Sequence, residues 1–373
     1  MKAMLLLGAA APVALTLAST SARSIPPAPP IADGKRQLIR WMPGEVRCGG
    51  EKIMAVRMQQ PFDSMGFARP AVAQAYRFRI DEEGRPLSIV NDRGARFSAL
   101  TDDVEAALTA SRFTAGAART ECRVEYRSQA TPLEEAPAVD LMAYSLSPIS
   151  GPMPAAAWKR LVSDGSTCLA APRPAPLNRA FPDFNALPAT PGTRDWTMVG
   201  YDLDAKGRPV RPHVVAGTDN AALDKASVKA VRASRFTGGA RTGCLYPYWR
   251  TPATMAAPAI PETDMGRPKE AKCDVDRDWA VQPRLAYPAA YRRRAIEGWA
   301  VIAYDVAPWG ETGNVRVLAS EPSAAFGEQA VQMIRAARKA SSASGASGCI
   351  EKVRFVIGAE DRTEEASQPL FLD

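Results

Sequence analysis

Val199-Gly200-Tyr201-Asp202-Leu203-Asp204, followed by Gly207-Arg208-Pro209, is the stretch on which the fold turns. Val199, Tyr201 and Leu203 alternate with Gly200 and Asp202, the period of a strand with one buried face. The Gly-Arg-Pro word supplies a tight turn, and Pro209 to Val215 then returns as a second strand. The same stretch stands earlier as Tyr76-Arg77-Phe78-Arg79-Ile80-Asp81 with Gly84-Arg85-Pro86, and Pro86 to Val90 follows it. It stands again later as Ile302-Ala303-Tyr304-Asp305-Val306 with Trp309-Gly310, followed by Asn314 to Ala319. Gly84 and Gly207 lie 123 residues apart, and Gly207 and Gly310 lie 103 apart. Self-similarity of this kind marks a repeated supersecondary unit.

A helix follows each hairpin. In the third copy Phe326, Ala330, Met333, Ile334 and Ala337 form one apolar stripe at helical period. The equivalent stripes are Leu223, Ser227, Ala230, Val231 and Ser234 in the second copy, and Leu100, Val104, Ala107, Leu108 and Ser111 in the first. The first two copies end with the same words, Ser111-Arg112-Phe113-Thr114 and Ser234-Arg235-Phe236-Thr237. After a Gly-containing loop comes a closing strand: Cys122 to Tyr126, Cys244 to Trp249 and Cys349 to Ile357. The expected fold is therefore α+β. Each of three tandem strand-strand-helix-strand units packs a small antiparallel sheet on one helix. Such a unit buries little area and is marginal by itself.

The cysteines supply a staple. Each copy carries one ahead of its first strand and one opening its closing strand. The spacing predicts three bridges within copies: Cys48–Cys122, Cys168–Cys244 and Cys273–Cys349, separated by 74, 76 and 76 residues. In the chain-entropy model each is worth about 4 kcal/mol. An even cysteine count suits an oxidising, exported setting. A metal site is not expected, because there is no CxxC pair and the single histidine, His213, lies near no cysteine.

The first residues read as an export signal. Lys2 precedes an apolar run from Met4 to Leu17, and Thr20-Ser21-Ala22 is a small-residue cleavage site. The run is shorter than the ~20 apolar residues a membrane span needs. Net charge is +7, but the basic residues are scattered and the densest run is Arg292-Arg293-Arg294. This reads as a solvated surface, so no nucleic-acid partner is expected. No G-x-S-x-G, H-E-x-x-H, P-loop or dinucleotide fingerprint occurs. Asp102-Asp103 reads as helix-start charge. No catalytic residue, cofactor or small-molecule substrate is expected, and the chain does not read as an enzyme.

The last copy adds a recognisable set of words: Gln282-Pro283-Arg284-Leu285-Ala286-Tyr287-Pro288, then Ile296-Glu297-Gly298, then Ser320-Glu321-Pro322 ahead of the helix that carries Phe326. This set, from Gln282 to Ile357, resembles the C-terminal domain of the TonB family. Copies one and two keep the core pattern without the Tyr-Pro and Ile-Glu-Gly words and look like degenerate versions. The implied domains are a signal over 1–22, repeat one over 23–140, repeat two over 141–262 and the TonB-like domain over 263–373. The resemblance implies a periplasmic protein that binds extended segments of TonB-dependent outer-membrane receptors, or of other envelope proteins, along the closing strand's edge. The implied partner-binding residues are Tyr287, Pro288, Ile350, Lys352, Arg354 and Val356. A membrane-tethered transducer with a retained N-terminal helix and a purely structural envelope protein are the alternatives. The Pro-rich joins around Pro132 to Pro154 and Thr251 to Pro268 favour three separate beads.

Overall fold

The computed structural model describes residues 36–67, 73–92, 101–261, 271–273 and 278–358. The expected export signal, over 1–22, and Leu100 lie outside the described residues. The fold is mixed, with six α-helices and several small antiparallel sheets among those residues.

The first region contains β1 (Arg36–Pro43), β2 (Val46–Cys48), β3 (Glu51–Ile53), β4 (Ala55–Arg57), β5 (Ser64–Phe67), β6 (Gln74–Ile80), β7 (Pro86–Asn91), α1 (Val104–Ala110), β8 (Arg112–Phe113) and β9 (Arg119–Pro132). The helices α2 (Ala138–Leu146) and α3 (Ala155–Leu161) follow. The second region contains β10 (Pro176–Asn178), β11 (Asp195–Leu203), β12 (Pro209–Gly217), α4 (Ala221–Ala233), β13 (Arg235–Phe236) and β14 (Arg241–Arg250). The third contains β15 (Trp279–Val281), α5 (Ala289–Arg293), β16 (Gly298–Val306), β17 (Thr312–Glu321), α6 (Ala324–Ala336), β18 (Arg338–Lys339) and β19 (Ala346–Phe355).

Hairpin, helix and closing strand recur with one register. Phe78 lies opposite Cys122, Tyr201 opposite Cys244 and Tyr304 opposite Cys349. Three disulfides join Cys48–Cys122, Cys168–Cys244 and Cys273–Cys349. The helix stripes face these sheets: Val104 and Leu108, Leu223 and Val231, and Phe326 and Ile334 are all buried. The turn glycines are forced by contact. Gly84, Gly207 and Gly310 all have positive φ, and a Cβ there would lie 2.1, 1.8 and 2.0 Å from the carbonyl oxygens of Phe113, Phe236 and Lys339. Those three residues donate their N–H back to the glycine oxygen at 2.9 Å in every copy. The repeated words after the helix have a similar cause. The hydroxyls of Ser111 and Ser234 accept the N–H of Gln59 and Ala180, and Phe113 and Phe236 pack on Phe78 and Tyr201. The third copy lacks both words. There the ring of Trp279 takes the place beside Tyr304, with the Lys339 ammonium 4.2 Å from its centroid.

One further element escaped the sequence pattern. A short strand ahead of each hairpin pairs with the two residues after the helix: β4 with β8, β10 with β13 and β15 with β18. Strands this short carry no readable period.

Three expectations need correction. First, β11 and β16 are buried on both faces over most of their length, not on one. Behind β11, Trp196 and Met198 share a core with Leu141, Met142 and Leu161 of α2 and α3. Behind β16, Trp299 is covered by the segment at Pro258. Second, the first join is not a free linker, and of the second, residues 251–261 are held at Met255 and Pro258 while 262–268 lie outside the described residues. The first holds α2 and α3, whose core also takes in Leu38 and Met65 of the first region, and the described residues fall within one compact unit. Prolines at the start of helices, as Pro137 and Pro154 are here, start helices rather than break them.

Third, Arg292-Arg293-Arg294 is not simply a solvated run. Arg294 is 1% exposed. Its guanidinium forms an ion pair with Asp103 and donates to the backbone oxygens of Gly192 and Gln60. Arg293 pairs with Asp102. Asp103 accepts the Phe62 N–H and makes no cap hydrogen bond to α1. The acidic pair thus joins the first region to the third. The contact is extensive. Ala106 and Ala110 of α1 lie in the third region's core, while Val104 and Leu108 lie in the first region's. Glu321 accepts from Arg79 and from the N–H and hydroxyl of Ser88, and Ile89 N–H reaches Pro322 O.

Candidate functional site

The three closing strands share a framework and differ at their outer edges. β9 is paired on both sides, by β6 on one and by β1 and β2 on the other. β14 is paired only with β11, and β19 only with β16, among the described residues. A single bridge from Lys272 to Ser347 touches the start of β19.

The orientation of the backbone groups follows from the registers. In an antiparallel pair, opposed residues exchange both hydrogen bonds or neither. Pro247 lies opposite Met198 within β14. Lacking an N–H, it belongs to a non-bonded pair, so its backbone faces the outer edge. The equivalent residue in β9 is Glu125, opposite Ala75, and its carbonyl oxygen accepts the Gly44 N–H at 2.7 Å from the outer side. The equivalent in β19 is Lys352, opposite Val301. The N–H and C=O of Lys352, and by alternation those of Ile350 and Arg354, therefore point outward. Pro247 blunts the edge of β14, as edge prolines do. β19 contains no proline.

The side chains alternate accordingly. Cys349, Val353 and Phe355 are buried beneath α6, while Lys352 and Arg354 are exposed and Ile350 is half-buried. Val356, just past the strand, is 59% exposed. Glu351 points to the helix face, where burial pushes its carboxyl up against the opposing pull of the Lys339 ammonium. At the far end, the Asn314 amide and the Gly348 N–H hold the Asp305 carboxyl below its usual range.

Of the residues implied by resemblance, Ile350, Lys352 and Arg354 lie together along β19, and Val356 follows just past its end. Tyr287 and Pro288 do not join them. The Tyr287 hydroxyl donates to Ile296 O at 2.7 Å and its ring meets Phe326 and Phe355 edge-on. Pro288 is the N-cap of α5. Both shape the core beneath the edge. The alternation of Lys352 and Arg354 with Val353 and Phe355 was visible in sequence, but the cover over β9 was not.

No group of three metal-ligating side chains converges among the described residues, and every described cysteine is in a disulfide. No helix among the described residues is long and apolar enough to cross a membrane. No curated protein matches the chain as a relative. Residues 283–359, which hold α5, β16, β17, α6 and β19, match the family described as Gram-negative bacterial TonB protein C-terminal.

Proposed function

We propose that this chain is an exported TonB-like binding protein of the cell envelope, and that it takes an extended segment of an outer-membrane receptor or other envelope protein as an added strand on β19. The supporting observation is the outer edge of β19. Among the three closing strands it alone is neither covered by described residues nor interrupted by proline. Main-chain hydrogen bonds along Ile350, Lys352 and Arg354 give affinity, and the exposed side chains set the choice of partner. The family matched by residues 283–359 is one of envelope transduction and interaction domains rather than enzymes. On this reading residues 1–22 are a cleaved signal, and 23–140 and 141–262 are degenerate TonB-like copies. Their role is to brace the third unit through α1, while the α2–α3 pair ties the first two regions together.

The experiment is a calorimetric titration with synthetic peptides that copy the periplasm-facing segments of outer-membrane receptors. Binding to the wild type, and its loss by at least about tenfold in Lys352→Pro, is the expected result. Lys352→Pro imitates Pro247, so the β16–β19 ladder and the fold survive, as circular dichroism checks. Equal binding by a folded Lys352→Pro variant contradicts the proposal.

A further inference from the structure

Pro258-Ala259-Ile260-Pro261 has the spacing of a polyproline recognition word, and the chain sets it against a tryptophan. Trp299 Nε1 donates to Pro258 O at 2.8 Å. An indole that donates to a carbonyl of an extended proline segment is how aromatic grooves read such peptides. Trp299 lies on the face of β16 away from α6, and it is only 3% exposed because this strap covers it.

The strap is anchored at one end. Met255 N–H donates to Ala295 O and Glu297 N–H donates to Met255 O, which fixes the chain beside Ile296. From Ala256 to Pro261 no backbone–backbone hydrogen bond is made among the described residues, and the Trp299 contact holds the middle of the segment. Beside the strap runs a groove of about 490 Å³. The strap and Trp299 form one wall, and Val90, Val317 and Ala319 carry the apolar lining onward to the Arg79–Glu321 pair. The apolar surface that seats the strap therefore continues past it with room for another chain.

We propose that the Trp299 groove is a second peptide site, distinct from the β19 edge, for extended proline-rich segments, and that residues 256–261 occupy it in cis until such a segment displaces them. A proline-rich peptide is already extended before it binds and loses little conformational freedom on docking. It brings the same carbonyl to the same indole. The groove lies between the first and third regions, so its occupancy also reports on their contact at Ser88 and Glu321.

The test uses the full chain and a synthetic peptide copying residues 255–261, with a control in which both prolines are alanine. Pro258→Ala with Pro261→Ala weakens the strap's own side of the groove and leaves Trp299, Val90, Val317 and Ala319 in place. This variant is expected to bind the proline peptide about tenfold more tightly than the wild type. Adding Trp299→Phe, which keeps a ring and removes the N–H, is expected to reduce that binding about fivefold to tenfold. The alanine peptide is expected not to bind either protein. In the wild type, excess proline peptide should shift the backbone amide resonances of Ala256, Ala257, Ala259 and Ile260 as the strap leaves Trp299, while that of Met255 stays in place, a readout that needs no variant. Equal affinity for wild type and strap variant, equal binding of the alanine peptide, or unmoved strap resonances overturns the proposal.

Discussion

β9 and β19 place a disulfide cysteine against the same aromatic position of their central strands, yet one edge is roofed and the other is bare among the described residues. β1 and β2 pair along β9, and Trp41 of β1 joins the core shared by Tyr76, Phe78 and Tyr126. In the third region the segment leading to β16 takes other routes: Lys272 touches only the start of β19, β15 pairs with β18, and Tyr287 packs under Phe355. The difference teaches that the framework fixes the closing strand, while the segment ahead of it decides whether its edge is available. β14 shows a third solution, in which one proline makes the edge unreceptive with no cover.

That contrast can be broken at the roof. Trp41 is 1% exposed, so Trp41→Ala should destabilise the protein by about 3–5 kcal/mol through the lost burial and the cavity left behind. Urea unfolding measures it. A loss under about 1 kcal/mol would mean that β1 is a loose appendage rather than part of the first core.

The brace between the first and third regions comes next. Arg294→Ala leaves the buried Asp103 carboxylate without its partner and should cost about 3–5 kcal/mol. Replacing both, Arg294→Met with Asp103→Leu, should recover part of that loss: no buried charge remains, but the Phe62 N–H and the Gly192 and Gln60 oxygens lose their partners. If single and double variants unfold alike, the ion pair is not what braces β19's unit.

Glu105 sharpens the same joint by pH. Its carboxyl lies at the contact of α1 with α6, where it accepts from the Tyr291 hydroxyl. Burial, with the nearby Glu328 carboxylate adding to it, pushes the Glu105 pKa from its ordinary value of 4.5 up to about 7, against hydrogen bonds from Ser323 and Tyr291. A carboxyl raised in the folded state binds its proton there more tightly than in the unfolded chain. Its stabilising contribution is complete below pH 4.5 and is lost as pH rises through about 7. The effect is at most about 3 kcal/mol. Tm measured from pH 4.5 to 8 should fall more steeply in the wild type than in Glu105→Gln. Parallel curves would remove Glu105 from the joint.

The smallest effect is the most diagnostic. Exchanging the edge chemistry, with Pro247→Lys in β14, should create a second receptive edge and add a weak site for the peptides that bind β19. One added main-chain contact of this kind is worth about 1 kcal/mol. Calorimetry that still finds a single site would show that more than Pro247 closes the edge of β14.

Much of this was legible in the residues. The alternation of Tyr76, Phe78 and Ile80, the turn glycines and the helix stripes carry the recurring hairpin and helix because one face of each packs inward. The paired spacing of the cysteines carries the three bridges for the same reason. What was not legible depends on contacts between regions. Nothing local distinguishes Arg294 from Arg292, yet one is buried against Asp103 and the other is not. Alternation hid the second buried face of β11 and β16, because Trp196 and Trp299 meet partners from α2 and from the strap rather than from their own unit. On β19 the outward set of Ile350, Lys352 and Arg354 was readable as a face. Its availability was not, since that rests on where β1, β2 and Pro247 stand in the other two regions.

Residue-resolved amide exchange on β19, with and without a receptor-segment peptide, tests the central claim most directly. The outward amides of Ile350, Lys352 and Arg354 should exchange rapidly in the free protein and become strongly protected with peptide bound, while the inward amides of Glu351 and Val353 stay protected throughout. Binding that leaves the Lys352 amide exchanging as before would contradict strand addition at this edge.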